Sequence, residues 1–190
     1  MWILPKFVSG QLIIDPGTSM IGGNIYGLYT TSKDYQKTID NFTLNTNFNP
    51  NLFIKPNLSL GLVLSHYLYY QKFNNPNTTN PVSTQTDNII GIGPTIRAYT
   101  GFGLFFQGIA SVGIAIYKNG TDAQLMPLDF GIGYCKFLNE HIAIEPIVRT
   151  QVRTWIFDPA KDSPISQRVL LQIGLGLSAY FPKVTSQEKK

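Results

Sequence analysis

At 190 residues, the chain is long enough for one domain with a sizeable core or for one closed barrel. Charged residues are only 14%, against about 25% in an ordinary soluble domain, and no run of about 18 apolar residues exists, which excludes a transmembrane helix. The formal charge of +4 comes from scattered lysines without a basic run, so nucleic acid is not indicated, and the lone Cys135 excludes an intrachain disulfide and a multi-cysteine metal site.

Residues 1–18 read as an N-terminal segment, a mature or truncated start with Gln11 after Ser9 and Gly10 as the remnant of a cleavage junction. Pro5 and Lys6 interrupt what would be the apolar part of a secretory signal. Eight alternating segments follow. The first, 20–30, is glycine-rich and its facing is ambiguous. The second, 41–53, sets Phe42, Leu44, Phe48 and Leu52 against Thr43, Asn45, Asn47, Asn49 and Asn51. The third, 58–71, sets Leu60, Leu62, Leu64, Leu68 and Tyr70 against Ser59, Gly61, Ser65 and Tyr67. The fourth, 87–99, sets Ile90, Ile92 and Ile96 against Thr95, Arg97 and Tyr99.

The fifth, 103–117, opposes Leu104, Phe106, Val112 and Ile114 to Phe105, Gln107 and Ser111. The sixth, 123–136, opposes Met126, Leu128, Phe130, Ile132 and Tyr134 to Asp129, Gly131 and Cys135. The seventh, 141–156, opposes Ile142, Ile144, Val148 and Val152 to Glu145, Arg149, Gln151 and Arg153. The eighth, 167–181, places Val169, Leu171, Ile173, Leu175, Leu177, Ala179 and Phe181 on one phase, with Arg168 and Gln172 on the other. Each segment has at least the 9–11 residues that a tilted strand needs to cross a bilayer. An even number of strands is the rule for single-chain outer-membrane barrels.

Short turns are expected near 54–57, 100–102 and 137–140, with longer polar connections near 31–40, 72–86, 118–122 and 157–166. This asymmetry matches short periplasmic turns and longer extracellular loops, and places both termini on the turn side. Every lysine then falls in a turn, loop or terminus, while Arg97, Arg149, Arg153 and Arg168 all occupy the polar phase of a strand. The inferred fold class is all-β, an eight-stranded antiparallel up-and-down transmembrane barrel over 19–181, followed by a polar tail, 182–190. Arg97, Asp129, Glu145, Arg149, Arg153 and Arg168 are expected to form a polar network inside. Counting back from the 137–140 turn places Asp129 across from about residue 148, beside Arg149. Leu60, Leu62, Leu64, Ile90, Ile92, Val112, Ile114, Phe130, Ile132, Ile144, Val148, Leu171, Ile173, Leu175 and Leu177 are expected to face lipid. Tyr70, Tyr134, Trp155 and Phe181 are expected in aromatic girdles. Pro50, Pro94, Pro127 and Pro146 lie inside strands, where bulges are the expected accommodation.

The segments 50–64 (PNLFIKPNLSLGLVL), 88–100 (NIIGIGPTIRAYT) and 128–145 (LDFGIGYCKFLNEHIAIE) resemble the small outer-membrane β-barrel domain family, broadly OmpX-like, over residues 19–181. Two departures stand out: no intact signal peptide is visible, and Phe181 is followed by PKVTSQEKK instead of ending the chain.

The expected function is that of an integral protein of the bacterial outer membrane, monomeric, surrounded by membrane lipid, with a side-chain-filled interior. Its role is expected to be structural, adhesive or partner-binding, with the loop 72–86 as the contact surface for an extracellular partner. No catalytic residue, cofactor, metal or nucleic acid is expected. His66 lies in an apolar phase and His141 at a turn of the opposite end, so they cannot share a site. The alternative is a soluble lipocalin-like barrel holding an apolar ligand; an outer-membrane lipid-modifying enzyme or a narrow channel are the lesser ones.

Overall fold

A computed structural model describes residues 6–8, 11–34, 37–74, 82–117, 123–157 and 166–182. A short hairpin, β1 (Lys6–Val8) with β2 (Gln11–Ile13), precedes the barrel. The wall begins with β3 (Ser19–Asp34), β4 (Lys37–Lys55), β5 (Leu58–Asn74) and β6 (Val82–Tyr99). The next wall strand is broken at Ser111 into β7 (Leu104–Ala110) and β8 (Val112–Tyr117), and the sixth into β9 (Ala123–Tyr134) and β10 (Lys136–Phe137). β11 (Ile142–Phe157) and β12 (Ser166–Phe181) complete it.

Every neighbouring pair is antiparallel, and β12 pairs with β3, so the sheet closes on itself as an eight-walled barrel. Closure removes the unpaired edge that an open sheet would present to lipid. The register can be followed once round, from Phe181 through Ser19, Leu52, Leu60, Ile96, Gly108, Phe130 and Thr150 back to Leu171. The path returns ten residues from where it started, from 181 to 171 on β12. A shear of ten over eight walls tilts the strands by about 40°. The seam between β12 and β3 is short: nine pairs join them, between Ile173–Phe181 and Ser19–Gly27, against sixteen between β3 and β4.

Alternation decides the two faces. On β12, Leu171, Ile173, Leu175 and Leu177 stand on the outer surface, with Ile173 71% exposed, while Gln172 and Ser178 are buried inside. β3, ambiguous by composition, turns Ile21, Ile25 and Tyr29 outward and Met20, Asn24 and Tyr26 inward. The apolar set is thus outside and the polar set inside, the reverse of what a lipocalin-like ligand barrel requires.

Two expectations about the backbone are corrected. The connection after β3 is only residues 35–36, since Asp34 pairs with Lys37, so most of the expected loop 31–40 is strand. Lys33, Lys37 and Lys72 accordingly lie in strand ends on the loop side and not in loops. The prolines do not sit at bulges: register is continuous through all four, and the two register shifts fall at strand ends, Phe53/Lys55 and Trp155/Phe157. Each proline stays in register with one neighbour (Ile21, Leu62, Arg153 and Leu175 for Pro50, Pro94, Pro127 and Pro146), and the ladder lapses on its other side. A missing N–H removes a bond from one ladder only, which a closed barrel tolerates without an extra residue. At Pro50, Asn51 Nδ2 donates to the Asn49 carbonyl at 3.1 Å and takes up an acceptor beside the lapse. At Pro127 the Ser111 N–H still reaches the Pro127 carbonyl at 3.0 Å.

The barrel interior as candidate functional site

The turn-side end of the interior is built first by the N-terminal segment. Leu12 and Ile14 are fully buried against Met20, Phe53, Tyr99, Phe105 and Tyr180. Asn57, at the β4–β5 turn with φ 60°, clasps this segment from both sides. Its Oδ1 accepts from Ile14 N at 2.7 Å, its Nδ2 donates to Leu12 O at 3.2 Å, and its own N–H donates to Ile14 O at 3.0 Å. Leu12 N–H also reaches the Gly101 carbonyl in the next turn. Residues 11–18 are therefore an internal stopper of the turn-side end, and not a segment separate from the barrel.

Above the stopper lies the first ion pair. Arg97 Nη1 donates to Glu145 Oε2 at 2.7 Å with both side chains fully buried. Arg97 also donates to the Tyr99 hydroxyl at 3.3 Å and to Gln107 Oε1 at 3.3 Å, and lies 4.9 Å from the centre of the Phe105 ring. The Tyr180 hydroxyl donates to the other carboxylate oxygen at 2.9 Å. The aromatic collar around this pair is inward: Phe53–Tyr99 and Tyr99–Phe105 centroids are 5.6 and 5.4 Å apart. Tyr99, expected on the polar phase of its strand, and Tyr180 both belong to the interior.

The second cluster lies toward the loop side. Arg149 donates from Nε and Nη2 to Gln172 Oε1 (2.9 and 2.7 Å), from Nη1 to Asp129 Oδ2 at 3.5 Å, and stacks on Tyr26 at 3.7 Å. Gln151 Nε2 donates to Asp129 Oδ1 at 2.6 Å and to the Tyr67 hydroxyl at 2.8 Å, and Arg153 Nε donates to Gln151 Oε1 at 2.6 Å. Asp129 is in register with Gln151, not with residue 148. The hairpin is centred on Glu140, which moves the partner of Asp129 by three positions, and Asn139 Oδ1 holds that turn by accepting the N–H groups of His141 and Ile142. Arg149 reaches Asp129 all the same, as a diagonal neighbour on the same face. The side chain of Arg168 lies outside the described ones; its backbone is in register with Arg153.

On the outer surface, Leu60, Leu62, Leu64, Ile90, Ile92, Val112, Ile114, Phe130, Ile132 and Val148 are exposed, and Ile144 is partly so. Tyr70, Tyr134 and Phe181 also stand outward, while the side chain of Trp155 lies outside the described ones. His66 is exposed and bonds Asn88 Oδ1 through Nε2 at 3.2 Å; His141 is exposed at the turn, with Nδ1 3.1 Å from the Tyr180 carbonyl oxygen. Among the described residues, no group of three His, Cys, Asp or Glu side chains stands together to hold a metal.

A closed antiparallel ladder with an apolar outer belt and buried ion pairs within decides the architecture. It is that of an eight-stranded, antiparallel transmembrane β-barrel. No protein-family model matches the chain, and none of the curated proteins does. Among solved structures it is similar to the outer membrane protein OprG from Pseudomonas aeruginosa, with 11% identity over 86% of this chain and 96% of that one and a TM-score of 0.42. It is also similar to OmpT, an outer membrane protein of Vibrio cholerae, in the trimer form (10% identity, 90% of this chain and 55% of that one, TM-score 0.30) and in a second structure (9%, 95% and 59%, TM-score 0.30). The chain spans little more than half the length of OmpT.

Tyr99, Gln107, Gln151 and Gln172 were expected on the polar phase but not in the charged network that they join, and Tyr26 and Tyr180 were not expected inside at all. Parity was the available signal, since Tyr180 shares the phase of Gln172 and Ser178, and Tyr99 that of Arg97.

Proposed function

We propose that the protein is an integral protein of the bacterial outer membrane that works as a closed, filled cylinder and acts through its loop end. The observation that carries this reading is the division of faces: apolar side chains form the outer belt, while Arg97, Glu145, Arg149 and Asp129 are buried and paired inside. Burying these charges costs several kcal/mol each unless they are paired and hydrogen-bonded, and here Arg97 and Glu145 meet across the interior while Arg149 and Asp129 pair between adjacent walls. Crossed by two such layers and stoppered by Leu12 and Ile14, the interior has no room for general diffusion. A structural, adhesive or partner-binding role then falls to the loop end, with 72–86 as the contact surface. Its residues 75–81 lie outside the described ones.

Phase partition tests the membrane reading: the full chain enters the detergent phase, and recovery as an aqueous monomer without detergent overturns the proposal. Planar-bilayer recording should show no large, steady conductance. A chain with 75–81 replaced by a Gly-Ser linker should fold, with heat-modifiable gel mobility, but lose binding to the surfaces or proteins that the parent retains.

A further inference from the structure

The wall is incomplete on the loop side of the seam. The last pair between β3 and β12 is Gly27 with Ile173, and among the described residues no ladder joins 28–34 to 166–172. Each segment still pairs on its other side, with β4 and with β11. Neither contains proline or glycine, so no missing N–H accounts for the lapse. Side-chain exposure shows that the wall is open there. Leu28 and Leu170 follow the buried Tyr26 and Gln172 on the inward phase, yet both are partly exposed. Their partners on the intact side, Thr43 and Gln151, are only 3% and 0% exposed, and Arg153, nearer the loops than Gln151, is buried as well. The access is therefore lateral and does not come through the loop-side mouth. Outside the opening stand Tyr29, Val169, Leu171 and Ile173, all among the most exposed side chains of the apolar belt. Tyr29 shares a row with Phe42 and Tyr70, so the lapse begins on the turn side of this aromatic row, within the belt.

We infer that this opening is where two copies of the chain join, β3 of each pairing with β12 of the other over 28–34 and 166–172. Lipid alone does not complete the wall, because hydrocarbon offers nothing to the N–H and C=O groups along the two edges. A strand does. A second copy supplies that strand in the right sense and at the right depth: two copies in one membrane share one orientation, so β12 of one meets β3 of the other antiparallel and level with it. The edges also match in length, seven residues on each side. A two-fold axis along the membrane normal therefore satisfies both edges of both copies at once and leaves none over. A single foreign strand wedged into the opening would have to run parallel to one of its two neighbours, which is the less stable pairing. Continuing the row count from Gly27 and Ile173, the joint sets Tyr29 of one copy beside Leu171 of the other. This departs from the monomer expected from the sequence.

The inference rests on the membrane reading above, and a chain that partitions into detergent yet stays single in vesicles refutes this inference alone. The test uses the full chain in lipid vesicles, with Cys135→Ser so that introduced cysteines stand by themselves. Tyr29→Cys and Leu171→Cys are made as separate chains, reconstituted together and oxidised. The mixture should give a covalent dimer, and either variant alone several-fold less, because the two-fold axis brings residue 29 to residue 171 and not to its own copy. With both substitutions in one chain, the disulfides should still join two chains. A disulfide closed within one chain would mean that the seam zips onto itself, which overturns the inference. Equal cross-linking by either variant alone, the mark of chance collision, overturns it too, as does the absence of any covalent dimer, which leaves the opening to lipid or to another protein. Should a cysteine variant lose heat-modifiable mobility, native mass spectrometry of the unsubstituted chain released from vesicles decides instead: two chains per particle support the inference, and one overturns it.

Discussion

Arg97 and Glu145 meet at 2.7 Å across the interior from walls three apart, and neither side chain is exposed. No local feature of the sequence joins them; the closure of the sheet does. Glu145→Gln leaves a buried guanidinium without its counter-charge and should destabilise the folded barrel by about 3–5 kcal/mol. Urea-induced unfolding from lipid vesicles measures this. The double variant R97M/E145Q should recover more than half of the loss, and failure to recover would show that packing, and not unpaired charge, dominates.

Glycine matters most where two backbones touch. A Cβ on Gly93 would collide with the Ala110 carbonyl oxygen, beside the ladder lapse at Pro94, whereas one on Gly27 would meet nothing within 4 Å. Gly93→Ala should sharply reduce the yield of heat-modifiable, folded protein. Gly27→Ala should fold as the parent does.

The outer belt predicts a depth-dependent cost for charge. Ile173→Arg, near the middle of β12, should cost about 2–4 kcal/mol in folding equilibria from urea into lipid vesicles, and Val169→Arg, nearer the loop edge, should cost less. Equal and negligible costs at both positions would remove lipid from the outer face.

Asn57 joins turn geometry to the N-terminal stopper. Asn57→Gly retains the left-handed backbone but loses the side-chain bonds to Ile14 N and Leu12 O. It should cost about 1–3 kcal/mol, and hydrogen exchange of the Ile14 amide should accelerate. Asn57→Ala should be worse by about 1–2 kcal/mol, because a Cβ without a compensating polar group disfavours positive φ.

The walls and both faces were readable because the alternation is strict: the parity of Leu171 to Leu177 alone fixes which side of β12 is apolar. The facing of β3 was not, because Gly22, Gly23 and Gly27 dilute its alternation. Partner choice was less legible still. Asp129 was displaced from its expected neighbour by three positions because one side chain, Asn139, sets the centre of a hairpin. Arg97 with Glu145 depends on the shear, a sum over every register in the barrel, which no single segment carries. The N-terminal stopper escaped reading altogether, since Leu12 and Ile14 look unremarkable until the turns they bond, at Asn57 and Gly101, are brought to the same end.

The short seam between β12 and β3 is where the barrel is joined most sparsely. These two strands are the first and last walls, so their nine pairs close the longest loop in the chain and carry its largest closure cost. Unpaired, each would present a hydrogen-bonding edge that lipid cannot satisfy. The cylinder is therefore shut along its least extensive ladder, the one whose strands are furthest apart in sequence.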